Sequence, residues 1–447
     1  MIDLEAVIIL EIEGLGISGE GIGNIQGFTI FVEGALPLEK VEARITLLKK
    51  NYGVAKLLKI IKASPHRIKP PCPLFERCGG CQIMHLDYQK QLETKSKRVK
   101  DAFQRIGKHE LLQMPNTRPS IPSFAYRNKI QLPVVADEQG ELQVGLYAKG
   151  SHEVVFVDTC LIHSELGDSV YQEIVKILKK SSIKPYSESD HQGELRHLLM
   201  RTAIFSKQVL VVLVTTTKVS SEIKHIAQQI IKIPHVAGVM HHKNSRRGNV
   251  VLDKDFTSLC GLSFIEEELC GLLFKVSAAS FFQVNPYQAS HLYQAAIDLA
   301  ELDESSCVLD AYCGIGTLSL LIAKKAKHVI GVECVEQAIL DANENAALNR
   351  ITNIEFVCNL SELVIPSLAS IDVVFLNPPR KGCDSAVLFE LKRLQPRTII
   401  YISCDPATLA RDSQILLSYG FQISQVDTFD MFPQTMHVET IAKFSRI

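Results

Sequence analysis

The 447 residues exceed what one ordinary domain holds, so the chain reads as two or three domains. A hydrophobic content of 46% excludes disorder, and a net charge of −1 gives no global sign of a nucleic-acid partner. No apolar run reaches the roughly 18 residues of a membrane helix and no basic leader precedes AVIILEIEG, so the cytoplasm is the expected compartment; twelve cysteines then read as ligands, nucleophiles or core, not disulfides.

Residues 1–64 alternate short apolar runs with glycine turns (AVIILEIEG, GFTIFVEG, KVEARITLL), the pattern of a small β-barrel. Gly14-x-Gly16-x-x-Gly19 fits the dinucleotide fingerprint literally, but further glycines and a strand follow it where a helix is required, so it is read as a barrel turn. Charge is uneven along the chain. Lys40, Arg44, Lys49, Lys50, Lys56, Lys59, Lys62, Arg67 and Lys69 share a stretch with only Glu39 and Glu42 as acids; a second run carries Lys90, Lys95, Lys97, Arg98, Lys100, Arg105 and Lys108, and a third Lys243, Arg246 and Arg247. Together these runs point to a phosphate-binding surface. SPHRIKPPCP reads as a linker.

Residues 65–280 are expected to be a mixed central domain, with strand-like KIQLPVV, EVVFVD and QVLVVLVTTT between helical VYQEIVKILKK and SEIKHIAQQIIK. Cys72-x5-Cys78-x2-Cys81, with Gly79 and Gly80 between, puts three thiols in one loop, and Cys160 is the candidate fourth ligand. Four thiolates suit zinc or an iron–sulfur cluster, and spacing alone leans to zinc.

Residues 281–447 alternate CVLDAY, TLSLLIAKKA, HVIGVE, VEQAILDANENAALN, IDVVFLN and RTIIYIS, the βαβ rhythm of an open, doubly wound parallel sheet. In DAYCGIGT a strand runs through Asp310 into Gly314 and Gly316 and then a helix, and Glu333 closes the next strand, where a carboxylate can hold ribose hydroxyls. The short loop suits S-adenosylmethionine, which has no phosphate to cradle, better than NAD. YISCDPATLARD places Cys404 at the carboxyl end of a strand with a helix behind Pro406; Cys307, Cys334 and Cys358 are expected in the core. A thiol near a helix N-terminus is expected to have a lowered pKa. A thiolate suits methylation at carbon 5 of uracil, because its addition to carbon 6 puts electron density on carbon 5. A base must then remove the carbon 5 proton. Glu439, in TMHVETIAKF, is the candidate, although strand alternation alone favours its exposure.

The motifs SFFQVN, DAYCGIGTLSL, NPPRKG, YISCDPATLARD and HVETIAKF, in this order, resemble those of the RNA 5-methyluridine methyltransferases over nearly the whole chain. The resemblance implies Cys404 as nucleophile, Glu439 as proton acceptor, and Gln283, Tyr312, Glu333 and Asn377 as the S-adenosylmethionine set. The family usually has aspartate where Asn377 stands, so the charge is lost there while the hydrogen-bonding shape is kept. N-P-P followed by an aromatic marks amine methylation instead, but Arg380 stands in the aromatic's place and that chemistry has no use for Cys404. Residues 1–64 resemble a TRAM domain, an RNA-binding OB-like barrel. The cysteine spacing resembles that of members with a [4Fe–4S] cluster, which reverses the lean to zinc. Tyr126, Arg127, Asn128 and Lys129 match a family segment and are candidate RNA contacts. The expected substrate is a uridine in large-subunit ribosomal RNA, with the transfer RNA T-loop as the alternative, and the expected state is a monomer. A non-catalytic RNA-binding relative is the competing class, favoured only by Asn377.

Overall fold

Buried and exposed side chains alternate along Val7–Leu15 and Lys40–Leu48, so one face of each strand turns inward. With Gly21–Ile25, Phe28–Glu33 and Tyr52–Lys62 they close a five-stranded barrel around Leu10, Ile12, Ile30, Val32, Val41 and Ile45. The computed structural model describes residues 3–446 apart from 112, 114, 189, 249, 250, 253 and 254. Gly14 lies near the end of the first strand, paired with Ile22, Gly16 and Gly19 lie in the turn to the second, and a strand follows as read from the sequence. At Gly19 (φ +90°) a Cβ would meet the Gln82 side chain at 3.0 Å, so glycine lets the barrel sit against the cysteine loop. Arg44 opposes Lys56 and Lys40 opposes Lys62 across paired strands, all four exposed, which makes a basic stripe. Arg67 does not join it. Its guanidinium donates to the buried Glu39 carboxylate at 2.6 and 2.8 Å, anchoring the proline-rich segment to the barrel.

The central sheet has seven strands in the order Phe256–Gly261, Val236–Lys243, Val209–Thr215, Leu195–Thr202, Lys129–Ala136, Leu142–Tyr147 and Val154–Phe156. Helices Glu165–Lys180 and Ser221–Ile230 contribute Val170, Ile174, Ile223 and Ile226 to the core on one face. From the other face Leu199, Leu210, Val212 and Val214 enter the core of the C-terminal region, which explains a run in QVLVVLVTTT that is apolar without alternation.

The C-terminal sheet has eight strands in the order Ile354–Cys358, His328–Glu333, Cys307–Asp310, Val373–Leu376, Thr398–Ser403, Glu439–Arg446, Phe421–Phe429 and Thr117–Arg118. The first five run parallel, and Glu439–Arg446 is antiparallel to both its neighbours. Strand order reverses between Cys307–Asp310 and Val373–Leu376, which opens a crevice at their carboxyl ends. Residues 117–118 form the sheet's far edge although they precede the central sheet in the chain, and helix Tyr88–Arg105 packs on helix Pro406–Ser418. Cys334 and Cys358 are exposed and Cys307 half-buried, contrary to the expectation of core cysteines. The first two lie at the open carboxyl edge of the sheet, where no element covers them.

Candidate active site

The strand Cys307–Asp310 delivers Asp310 to the crevice, 1% exposed. One carboxylate oxygen accepts from Ser319 Oγ at 2.6 Å; the other is buried without a partner. Burial pushes the Asp310 pKa up to about 6. Gly314 (φ +55°) faces open space, and Gly316 (φ +79°) begins helix Thr317–Ala323 where a Cβ would meet the Phe356 ring at 2.8 Å. Glu333 is half-buried at the end of its strand, its Oε1 accepting the Val335 N–H at 2.9 Å. Asn377 follows Val373–Leu376 on the other side of the strand reversal. Tyr312 packs half-buried above the loop, and Gln283 is buried with its side chain bonded to Tyr293, which senses the charges of both Asp310 and Glu439. Of the four residues read from the sequence as cofactor contacts, Tyr312, Glu333 and Asn377 therefore stand at the carboxyl ends of strands on the two sides of the reversal, and Gln283 is tied to this region through Tyr293. An unpaired buried carboxylate oxygen and a glycine open to space fit a cationic cofactor with ribose hydroxyls.

The reacting end is built by two antiparallel strands. Ser403 pairs Thr440, and Cys404 and Glu439 stand just beyond that pair. Glu439 is 5% exposed, against the sequence expectation of exposure. Its strand sends Ile441 into the core on one face of the sheet and Ala442 into the core on the other, so both faces are covered and alternation offers no wet face. Burial raises the Glu439 pKa to about 8, with the Arg380 cation opposing. The Cys404 thiol is pushed up to about 11 by burial and by Glu439, again with Arg380 opposing. Burial first and Glu439 second therefore outweigh the expected lowering by the helix N-terminus, and Asp405, which caps that helix by accepting the Ala407 N–H at 2.8 Å, adds a smaller rise through its own negative charge.

Three residues that sequence reasoning passed over belong here. Arg380, read only as a non-aromatic residue after NPP, carries a positive charge that lowers both members of the pair. Arg98 donates to the Met436 carbonyl at 2.6 Å. Lys95 is fully buried and bonded to the Asp430 carboxylate and, at 3.0 Å, to the Phe432 carbonyl. The sequence places Lys95 and Arg98 in a basic run expected to help form a phosphate-binding surface. Instead they tie helix Tyr88–Arg105 to the segment that leads into Glu439, aided by Gln91, which accepts the Gln434 N–H at 3.1 Å. Their i, i+3 spacing on one helix face was the available signal. Tyr126 and Asn128 are also buried, bonded to the carbonyls of Pro433 and Gln283, so they position the site and do not offer an RNA surface.

Cys72, Cys78, Cys81 and Cys160 are all half-buried and free of disulfides. The Cys81 thiol is raised by burial and then by Cys160, Cys78 and Cys72, so the four sulfurs share one neighbourhood. Burial also raises Cys160, to about 11. Cys78 Sγ accepts the Gly80 N–H at 3.4 Å. Among the described residues no group of three or more His, Cys, Asp or Glu side chains converges as a site for a metal ion.

The description tRNA (uracil-5-)-methyltransferase matches residues 87–369 and 359–446, and a TRAM domain matches residues 6–58. An uncharacterized RNA methyltransferase of Listeria innocua is 42% identical over 436 residues, covering 97% of this chain and 96% of the relative. One from Clostridium tetani is 41% identical over 445 residues, covering 97% and 95%. The solved tRNA (uracil-54, C5)-methyltransferase of Pyrococcus abyssi, in complex with S-adenosyl-L-homocysteine, is 27% identical with a TM-score of 0.78, covering 98% of this chain and 100% of that one.

Proposed function

We propose that this chain, which belongs to the tRNA (uracil-5-)-methyltransferase family and is an RNA (uracil-C5)-methyltransferase, methylates a uridine of large-subunit ribosomal RNA through a covalent bond between Cys404 and carbon 6 of the base. The observation that carries the covalent route is a buried Glu439 whose charge acts on the Cys404 thiol, the two residues standing just beyond the Ser403–Thr440 pair. Bound S-adenosylmethionine, held by Gln283, Tyr312, Glu333 and Asn377, supplies an electrophilic methyl on a sulfonium. The remaining work falls to the chain. Cys404 would give up its proton to solvent and add as a thiolate to carbon 6. Carbon 5 of the resulting enolate would take the methyl as the sulfonium's carbon–sulfur bond breaks to leave the neutral thioether. Glu439 would remove the carbon 5 proton, and the thiolate would leave as the ring double bond reforms. Arg380 offsets the negative charge that this sequence places on the pair. The RNA must present the uridine unstacked, at a cost of a few kcal/mol.

A transfer RNA target is the second reading, favoured by the Pyrococcus neighbour that spans nearly the full chain. Mass mapping of 5-methyluridine in ribosomal and transfer RNA, from cells with and without the gene, separates the two. Loss of one 5-methyluridine from large-subunit RNA is expected; loss confined to transfer RNA transfers the assignment, and no loss at all removes both. An RNA substrate and twelve free cysteines together suit the reducing cytoplasm.

The four-cysteine neighbourhood is read as the seat of a [4Fe–4S] cluster. Cys78, Cys81 and Cys160, raised by burial and by neighbouring sulfurs, fit a centre whose positive charge would stabilise them as thiolates, and a cubane spreads its sulfurs more widely than a single ion does. Protein purified without oxygen is expected to be brown, with about four irons per chain. Cys81→Ser should bleach it. A colourless protein holding one zinc would decide for the other metal.

A further inference from the structure

A cavity of about 310 Å³ opens on the central sheet, well away from Cys404 in the sequence of elements that line it. That volume is at the lower end of the range for small-ligand clefts. Tyr147, Tyr186, Arg196 and His197 stand in its wall over an apolar floor that includes Val134 and Val154.

His197 is 2% exposed, and among the described residues neither ring nitrogen has a hydrogen-bond partner. Arg196 is 4% exposed and its Nε is equally without a partner. Buried polar atoms are nearly always paired, so three orphaned nitrogens on one wall point to something that pairs them. The remaining guanidinium nitrogens are committed: they donate to the carbonyls of Arg246 at 2.7 Å and Gly248 at 3.0 Å, and the group lies over the Tyr186 ring at 5.0 Å. Arg196 is therefore rigid, with its plane already used for stacking. Burial keeps His197 neutral, so it offers one donor and one acceptor.

We propose that this cavity is a second base pocket, which takes an unpaired nucleobase of the substrate RNA other than the uridine that is methylated. Aromatic and guanidinium planes with a few hydrogen-bonding edges are how single-stranded bases are recognised. The surroundings favour RNA over a free metabolite. Exposed Lys243 and Arg247 flank the stretch whose carbonyls hold Arg196, so cations for the adjoining phosphates stand beside the wall. On the opposite wall the Tyr147 carbonyl accepts the Gly79 N–H at 2.9 Å, joining the pocket to the cysteine loop. The loop would thus shape this pocket, which gives it a part in RNA binding. The proposal rests on the reading of this chain as an RNA methyltransferase.

Ultraviolet crosslinking of the full chain to total bacterial RNA, followed by nuclease digestion and mass spectrometry of the peptides, tests it. Adducts are expected on peptides carrying Tyr147 or Tyr186. Ala136→Trp, at an exposed position of the cavity lining, and His197→Leu should each cut those adducts at least tenfold. Adducts on the barrel's basic strands should persist, and S-adenosylmethionine affinity within twofold of the parent serves as the check on folding. Barrel adducts without any at Tyr147 or Tyr186, or pocket adducts undiminished in both variants, would overturn the pocket alone. A small molecule that copurifies with the parent but not with Ala136→Trp would also overturn it. RNA adducts nowhere on the chain would sink the pocket together with the RNA reading.

Discussion

Cys404→Ala is expected to abolish methylation while leaving S-adenosylmethionine affinity within about twofold. The loss should reach about 10⁴–10⁶-fold, the scale on which a missing nucleophile is felt. The reason lies in where the thiol stands. Cys404 follows the strand Thr398–Ser403 and lies within reach of the Glu439 charge, whereas Glu333 and Tyr312, proposed to hold the cofactor, stand at the end of His328–Glu333 and in the loop after Cys307–Asp310. Thr398–Ser403 is separated from Cys307–Asp310 by Val373–Leu376, so the two roles sit on different strands of one sheet. A thiol held near 11 is about one part in 10⁴ thiolate at neutral pH, so the resting enzyme keeps its nucleophile protonated. Ionisation then has to accompany RNA binding, when the Arg380 cation and the base itself come to bear. Methyl incorporation from labelled cofactor, beside calorimetric titration of the same cofactor, checks both halves of the expectation. Retained turnover in the alanine variant would remove the covalent route, and lost cofactor binding would show that the thiol's place is structural.

What could be read from the sequence was local. DAYCGIG, Glu333 and Cys404 declare themselves because a strand, its terminal turn and the next helix are contiguous, and the chemistry of a strand end follows from that order. Burial of Glu439 was not legible, because it depends on which strands flank Glu439–Arg446, and one of those, Thr398–Ser403, lies some way back in the chain. The same holds for Lys95. Its run of neighbouring cations reads as part of a phosphate-binding surface, and only the fold shows Asp430 waiting beneath it. Thr117–Arg118 is two residues long and carries no strand pattern of its own, yet it completes the catalytic sheet by pairing Phe421–Phe429. Arg380 was in plain view within NPPRKG, but its importance is electrostatic and emerges only when Cys404 and Glu439 are brought together. In each case the missing information was a pairing between distant segments, which periodicity does not encode.

Glu439→Gln is expected to trap a covalent complex between protein and RNA. Glutamine keeps the shape of the side chain in its buried slot, so addition of Cys404 and methyl transfer to carbon 5 should proceed. Without a base the carbon 5 proton stays, elimination stalls, and turnover falls by about 10²–10⁴-fold. A denaturing gel of the variant with substrate RNA and S-adenosylmethionine should show a slow-migrating species that disappears when Cys404→Ala is added. The pH dependence follows from the same group. The Glu439 pKa is raised to about 8, so at neutral pH most of the base is protonated and idle. In the parent, kcat/KM should therefore rise steeply with pH, approaching a hundredfold per unit below about 8, where both Cys404 and Glu439 must lose a proton. It should bend there to about tenfold per unit, where Cys404 alone is still protonated. Arg380 lowers both members of the pair, so Arg380→Met should move that inflection upward and slow the reaction at neutral pH. A glutamine variant with no slow-migrating species and normal turnover would point to another base. A parent profile flat between pH 6 and 8 would show that the proton removed by Glu439 does not limit the rate.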